Sequence, residues 1–227
     1  MTLLILRAQP TITCVKKAVL WDFGGVILSS PFEAFNRYEA EHGLPQDFIR
    51  STNAENPQHN AWAQLERNDI TPARFDQVFA EESFKRGYRV NGRDVLALLS
   101  GTIRPDMVAL LDRVILAGFR TACLTNNVLV DQPAPSVDPR RATDIAAIMA
   151  RFEFVVESSK VGVRKPEPRF YEIACELLEV EPHECVFLDD LGINLKPAAA
   201  MGMSTIKVHS SSQAIAELTA LLDLDAV

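Results

Sequence analysis

Ala18-Val19-Leu20-Trp21-Asp22-Phe23-Gly24-Gly25-Val26 opens on four apolar residues, sets an acid directly behind them and follows it with two glycines. A run this short, bounded by turn-forming residues, reads as a strand buried on both faces, which is the usual condition of a strand inside a parallel sheet. The same form recurs at 120–124, 154–156, 186–188 and 205–208. Between these runs lie segments with apolar residues at helical spacing, at 105–117, 139–150, 169–178 and 214–222; in the first, Met107, Leu110, Leu111, Val114 and Ile115 share one face. The alternation predicts an α/β fold with a Rossmann-like parallel-sheet core.

The stretch 31–102 breaks this rhythm. It offers amphipathic segments at 32–42, 61–68, 71–80 and 94–99 but no strand. Thr71-Pro72 reads as an N-cap followed by proline at the first helical position, and Asn91-Gly92 and Ser100-Gly101 read as turns. The expected organisation is a catalytic core of residues 15–30 plus 103–227, interrupted by an all-helical cap at 31–102. Residues 1–14 form a leader of unknown role, and 131–139, with three prolines, an exposed loop.

Composition narrows the function classes. The 227 residues carry 23 Lys+Arg against 30 Asp+Glu, a net charge of −7, and the basic residues do not cluster beyond Lys16-Lys17 and Arg140-Arg141. Such a chain has no electrostatic footprint for a phosphate backbone, so no nucleic acid partner is expected. Leu3-Leu4-Ile5-Leu6 is too short for a signal peptide or a membrane span, which predicts a cytoplasmic protein with no membrane partner. Cys14, Cys123, Cys175 and Cys185 lack the paired spacing of a zinc or redox site and are expected to be free and mostly buried.

In a parallel sheet, ligands bind beyond the carboxyl ends of the strands, so the residues directly after each strand carry the functional information. Asp22 follows the first, Thr125-Asn126-Asn127 the second, Lys165 lies in the loop after the third, and Asp189-Asp190 follows the fourth. Each alone has an ordinary reading. Asp22 would serve as a turn-forming residue, Asp189-Asp190 as a helix cap, Thr125-Asn126-Asn127 as a self-satisfied loop and Lys165 as a solvated surface lysine. Together, at one sheet edge, they make a site. Carboxylates without cysteine or histidine suit a hard divalent cation such as Mg²⁺, and a hydroxyl, an amide and an ammonium suit a phosphate.

These four stations, in this order, resemble the haloacid dehalogenase superfamily, most of whose members are Mg²⁺-dependent phosphatases. The likeness runs from residue 16 onward. Arg164-Lys165-Pro166-Glu167-Pro168 and the stretch from Val186 through Asp189-Asp190 to Ala198 are especially similar to the phosphatase domain at the N-terminus of soluble epoxide hydrolases. The resemblance implies that Asp22 is the catalytic nucleophile, forming an aspartyl-phosphate, and that Lys165 is catalytic through charge compensation. It further implies substrate-binding roles for Thr125 and Asn126. The metal would sit on Asp22, Asp190 and the backbone carbonyl of Gly24, with Asp189 helping to hold it or its waters and Asn194 supporting that loop. The partner expected is a small phosphorylated molecule.

One position departs from the resemblance. Superfamily phosphatases usually carry a second aspartate two residues after the nucleophile, where it protonates the leaving group; here that residue is Gly24. A cap side chain or an ordered water could take over its part, or the substrates could have leaving groups that hardly need an acid; Glu33, Glu39, Glu41, His42, His59, Glu66 and Asp69 are the cap candidates, and sequence does not rank them. Alternatives are a metal-free 2-haloacid dehalogenase-type hydrolase, against which the Asp189-Asp190 pair argues, and a non-catalytic phosphoryl-ligand-binding protein. Phe32, Phe35, Trp62, Phe75 and Phe79 either line a substrate pocket or form the core of the cap.

Overall fold

The computed structural model describes residues 15–99, 101–127 and 139–224. The leader at 1–14, most of the proline-rich loop and Ser100 of the second turn lie outside them. Five parallel strands, β1 (Ala18–Trp21), β2 (Arg120–Thr125), β3 (Phe154–Glu157), β4 (Cys185–Asp189) and β5 (Ser204–Lys207), form one sheet in the order β3-β2-β1-β4-β5. The sequence-predicted strands are all present, with ends moved by at most one residue. Chain order turns back at β1, the central strand, so the crevice beyond its carboxyl end is the switch point at which such sheets bind ligands.

β1 is 0% exposed along its whole length because helices cover both faces of the sheet. Its alternate residues divide between two apolar clusters. Val19 and Trp21 pack with Met107, Leu110, Leu111 and Val114 of α6 (Pro105–Leu116) and with Ala214 and Leu218 of α11 (Ser211–Leu222). Ala18 and Leu20 pack with Phe170, Tyr171 and Ala174 of α9 (Pro168–Leu178) and Ala198 of α10 (Gly192–Ala200). The edge helices α7 (Pro139–Met149) and α8 (Ser158–Val161) flank β3.

Between β1 and α6 the chain is helical: α1 (Phe32–Glu41), α2 (Phe48–Ala54), α3 (Ala61–Glu66), α4 (Pro72–Lys85) and α5 (Gly92–Ala97). These form the inserted cap, with a third apolar cluster built on Phe35, Ile49, Leu65, Phe75, Phe79 and Val95. The chain enters and leaves the cap through two adjoining segments: Leu28 bridges Ile103 in antiparallel fashion and the Ser29 amide donates to the Thr102 carbonyl at 2.8 Å. Gly101 permits this approach, since a Cβ there would lie 2.4 Å from the Ser29 carbonyl oxygen. Asn91 occupies the N-cap position of α5, without a side-chain cap bond, and Gly92 is the first residue of that helix, so the pair starts a helix rather than making a free turn.

The helix α2 has no local signal. Asp47 at its N-cap has a left-handed backbone (φ 58°) and its side chain makes no cap bond. The amides of Asp47 and Ile49 instead donate to the Glu39 carboxylate at 2.8 and 2.9 Å, so the cap comes from α1. Thr71 does cap α4 as its sequence predicts, accepting from the Arg74 amide at 3.2 Å. Replacing Thr71 by Ala will lower stability by about 1 kcal/mol, read as a lower urea midpoint at unchanged slope, while Thr71→Ser will retain most of it.

Candidate active site

Asp22 stands one residue beyond β1, where its amide still donates to Leu188 of β4 at 2.8 Å. Asp189 is the last residue of β4, so parallel register brings the two carboxylates to the same sheet edge. Lys165 joins them. Its ammonium lies 2.7 Å from Asp22 Oδ1 and 2.8 Å from Asp189 Oδ2, with Lys165 itself 1% exposed. Burial alone would depress the lysine pKa; the charges of Asp189 and Asp22 outweigh it and hold the ammonium protonated, above its usual range. The solvated-surface reading of Lys165 is therefore excluded.

Asp22 also accepts from the Phe23 amide at 2.6 Å, so two donors converge on Oδ1 and fix the carboxylate. The turn-forming geometry that the sequence permits is thus present and belongs to the site. Burial pushes the Asp22 carboxyl well above its ordinary pKa, Asp189 and Asp190 push the same way, and Lys165 opposes them. Asp190 is likewise raised, by burial and by Asp189. Three carboxylates held within 4.8 Å of one another, with a single ammonium among them, leave negative charge for a cation to take up.

Glycine makes room for this arrangement. A Cβ on Gly25, whose φ is 77°, would fall 2.3 Å from the Asp190 carboxyl carbon. At Gly24 the backbone is extended (φ −71°, ψ 134°) and a Cβ would meet nothing within 4 Å. Gly24 is free of any steric demand for glycine.

Asp189 has a more specific place than its sequence indicates. It is 0% exposed and its oxygens accept from Lys165, from Asn194 Nδ2 at 3.0 and 3.1 Å, and from the Leu191 amide at 2.8 Å. Asn194 is anchored in turn, its carbonyl accepting from the Tyr171 hydroxyl at 2.7 Å. This network sets the loop that presents Asp190. On the other side, Asn126 is clamped to the lysine loop: Nδ2 donates to the Lys165 carbonyl at 3.0 Å and Oδ1 accepts from the Lys165 amide at 2.9 Å.

Asp22, Gly24, Thr125, Asn126, Lys165 and Asp190 all line one cavity of about 570 Å³ between core and cap. Its apolar lining includes Phe32, Phe35, Trp62 and Leu99 from the cap and Ile193 from α10. The aromatic residues of the cap therefore divide: Phe32, Phe35 and Trp62 face the cavity, while Phe75 and Phe79 are sealed in the core of the cap. His59 is exposed and lies off this wall. The pairing of two cavity residues emerges only in three dimensions. Glu66, the last residue of α3, pairs with Arg164 across the boundary between cap and core and accepts from Asn126 at 3.4 Å.

A family model described as haloacid dehalogenase-like hydrolase matches residues 16–202. The chain belongs to that family. Mouse bifunctional epoxide hydrolase 2 is 32% identical over 216 residues, which cover 89% of this chain and 38% of that protein, so the chain spans well under half the length of this relative. The sesquiterpene phosphatase astK of Aspergillus oryzae is 26% identical over 91% of this chain and 96% of its own. Among solved structures, a haloacid dehalogenase family enzyme of Bacteroides thetaiotaomicron in complex with magnesium and inorganic phosphate superposes with a TM-score of 0.52 at 21% identity. The match covers 84% of this chain and 93% of that one. In this chain the sheet edge and the cap together enclose the cavity. Among the described residues, no helix is long and apolar enough to cross a membrane, and Cys123, Cys175 and Cys185 are free and buried.

Removing the Lys165 charge strands two buried carboxylates. Lys165→Met will destabilise the fold by about 3–5 kcal/mol in urea unfolding, and Asp189→Asn in the same background will recover part of that loss.

Proposed function

We propose that this haloacid dehalogenase-like hydrolase is a Mg²⁺-dependent phosphatase acting on a small phosphate monoester with an apolar body. The observation that carries the reading is the buried ammonium of Lys165 bridging Asp22 and Asp189 beside Asp190, at the floor of the cavity. Asp22 is oriented as a nucleophile and would attack phosphorus to form an aspartyl-phosphate, which water then hydrolyses. Lys165 offsets charge on Asp22 and on the phosphoryl oxygens as they crowd together. Thr125 through its hydroxyl, and Asn126 through its backbone N–H because its side chain is tied to Lys165 and Glu66, would donate hydrogen bonds to those oxygens.

The donor set fits a hard divalent cation: Asp22, Asp190 and the carbonyl of Gly24 would hold it, and Gly25 leaves the space that the Asp190 carboxylate needs. When bound, the ion supplies positive charge between carboxylate and phosphate that lowers their repulsion. Asp189 is spoken for by Lys165, Asn194 and Leu191, so its part is to position Asp190 and Lys165. The three-carboxylate cluster weighs against metal-free dehalogenation, which has no use for it. The apolar wall of Phe32, Phe35 and Trp62 favours a leaving group with a hydrocarbon or aromatic body over a sugar. The domain limits follow the two linkers, with the core at 15–30 plus 103–227 and the cap at 31–102.

The test is release of inorganic phosphate from a panel of alkyl, aryl, acyl and sugar phosphates, with and without Mg²⁺. Turnover will require Mg²⁺ and will fall by about 10⁴-fold or more in Asp22→Asn. Halide release from 2-haloacids without phosphate release would refute the reading in favour of dehalogenation. Gly25→Ala will displace Asp190 and weaken Mg²⁺ binding by about 10–100-fold in calorimetric titration.

A further inference from the structure

If Gly24 cannot protonate a leaving group, either nothing does or another side chain reaches the reacting oxygen. The cap offers several acids and histidines; the side chain of Glu33 lies outside the described residues, and the structure separates the others. Glu39 spends its carboxylate on the amides of Asp47 and Ile49. Glu41, His42, His59 and Asp69 are exposed and off the cavity. Among the described residues, Glu66 is the acidic side chain that the cap contributes to the cavity wall.

Its placement suits an acid for the leaving oxygen. Glu66 is 5% exposed and one hydrogen bond from Asn126, whose amide is tied to the backbone of Lys165. Trp62, one turn earlier on α3, lines the apolar wall. Glu66 therefore stands where the phosphoryl end of a substrate gives way to its body, which is where the bridging oxygen must lie. Burial favours the neutral acid and raises its pKa, and the opposing charges of Arg164 and Lys165 reduce this rise without cancelling it. Arg164, paired with Glu66 and braced by donation to the Pro57 carbonyl at 3.1 Å, would then stabilise the carboxylate left after donation.

We propose that Glu66 is the general acid and base of this enzyme, supplied by the cap in place of the residue missing at Gly24. The inference rests on the phosphatase reading above. As the bond from Asp22 to phosphorus forms and the bond to the leaving oxygen breaks, the Glu66 carboxyl proton passes to that oxygen and the product leaves as a neutral alcohol. The Glu66 carboxylate then takes a proton from the water that attacks the aspartyl-phosphate. The bond from phosphorus to Asp22 breaks, phosphate departs, and both carboxyl groups return to their starting states.

The experiment compares wild type with Glu66→Gln on a series of phosphate monoesters of graded leaving-group pKa, from hexyl phosphate to 4-nitrophenyl phosphate. Loss of the acid will lower kcat/KM on hexyl phosphate by about 10²–10⁴-fold and on 4-nitrophenyl phosphate by less than about 10-fold, so the dependence on leaving-group pKa steepens. Gly24→Asp, at a position where a Cβ meets nothing within 4 Å, will restore hexyl phosphate turnover in the Glu66→Gln background. An equal loss on every ester would overturn the proposal by showing a purely structural role through Arg164 and Asn126, and so would an unchanged rate on hexyl phosphate. Absence of turnover by the wild type on every ester would overturn the phosphatase reading itself, and this proposal with it.

Discussion

A single buried ammonium between two carboxylates organises this molecule. Lys165 touches Asp22 from β1 and Asp189 from β4, the two strands that meet at the turning point of the sheet. Both carboxylates are buried, and the lysine would be costly to bury without them. The arrangement has consequences on both sides. Through Asp189 it reaches Asn194, Leu191 and the loop of Asp190; through its own backbone it grips Asn126. A shift of the lysine loop would disturb Asp22, the Asp189-Asp190 pair and Asn126 together.

Much of this was legible in the sequence because strand ends are short-range facts. Once β1 is recognised from Ala18–Trp21, Asp22 must stand at its carboxyl end, and the same argument places Thr125 and Asp189-Asp190. Sequence does not tell how a carboxylate divides its oxygens. Asp189 and Asp190 are neighbours with the same side chain, yet one is sealed behind the site and the other lines it. The helix α2 was illegible for a similar reason, its cap being Glu39 from the preceding helix. Phe32 and Phe75 look alike in the chain and differ only in which face of the cap they occupy. Glu66 stood among seven candidates until its pairing with Arg164 set it on the cavity wall, since the contact spans almost a hundred residues.

The boundary between cap and core therefore contributes chemistry as well as enclosure. Arg164 directly precedes Lys165 and holds Glu66 and the Pro57 carbonyl from the cap, so the segment that positions the Lys165 ammonium also positions the cap. The adjoining linkers are tied to each other as well, through the Ser29 amide and hydroxyl and the Thr102 carbonyl and amide.

The central claim is covalent: Asp22, held by Lys165, carries the phosphoryl group between substrate and water. The most direct measurement is acid quenching of the enzyme within the first turnover of an aryl phosphate in Mg²⁺ buffer, followed by mass spectrometry of its peptides. The account predicts a phosphoryl group on the peptide that contains Asp22, and on Asp22 within it. A phosphoryl group on any other residue, or phosphate released in that turnover with Asp22 never modified, would contradict it.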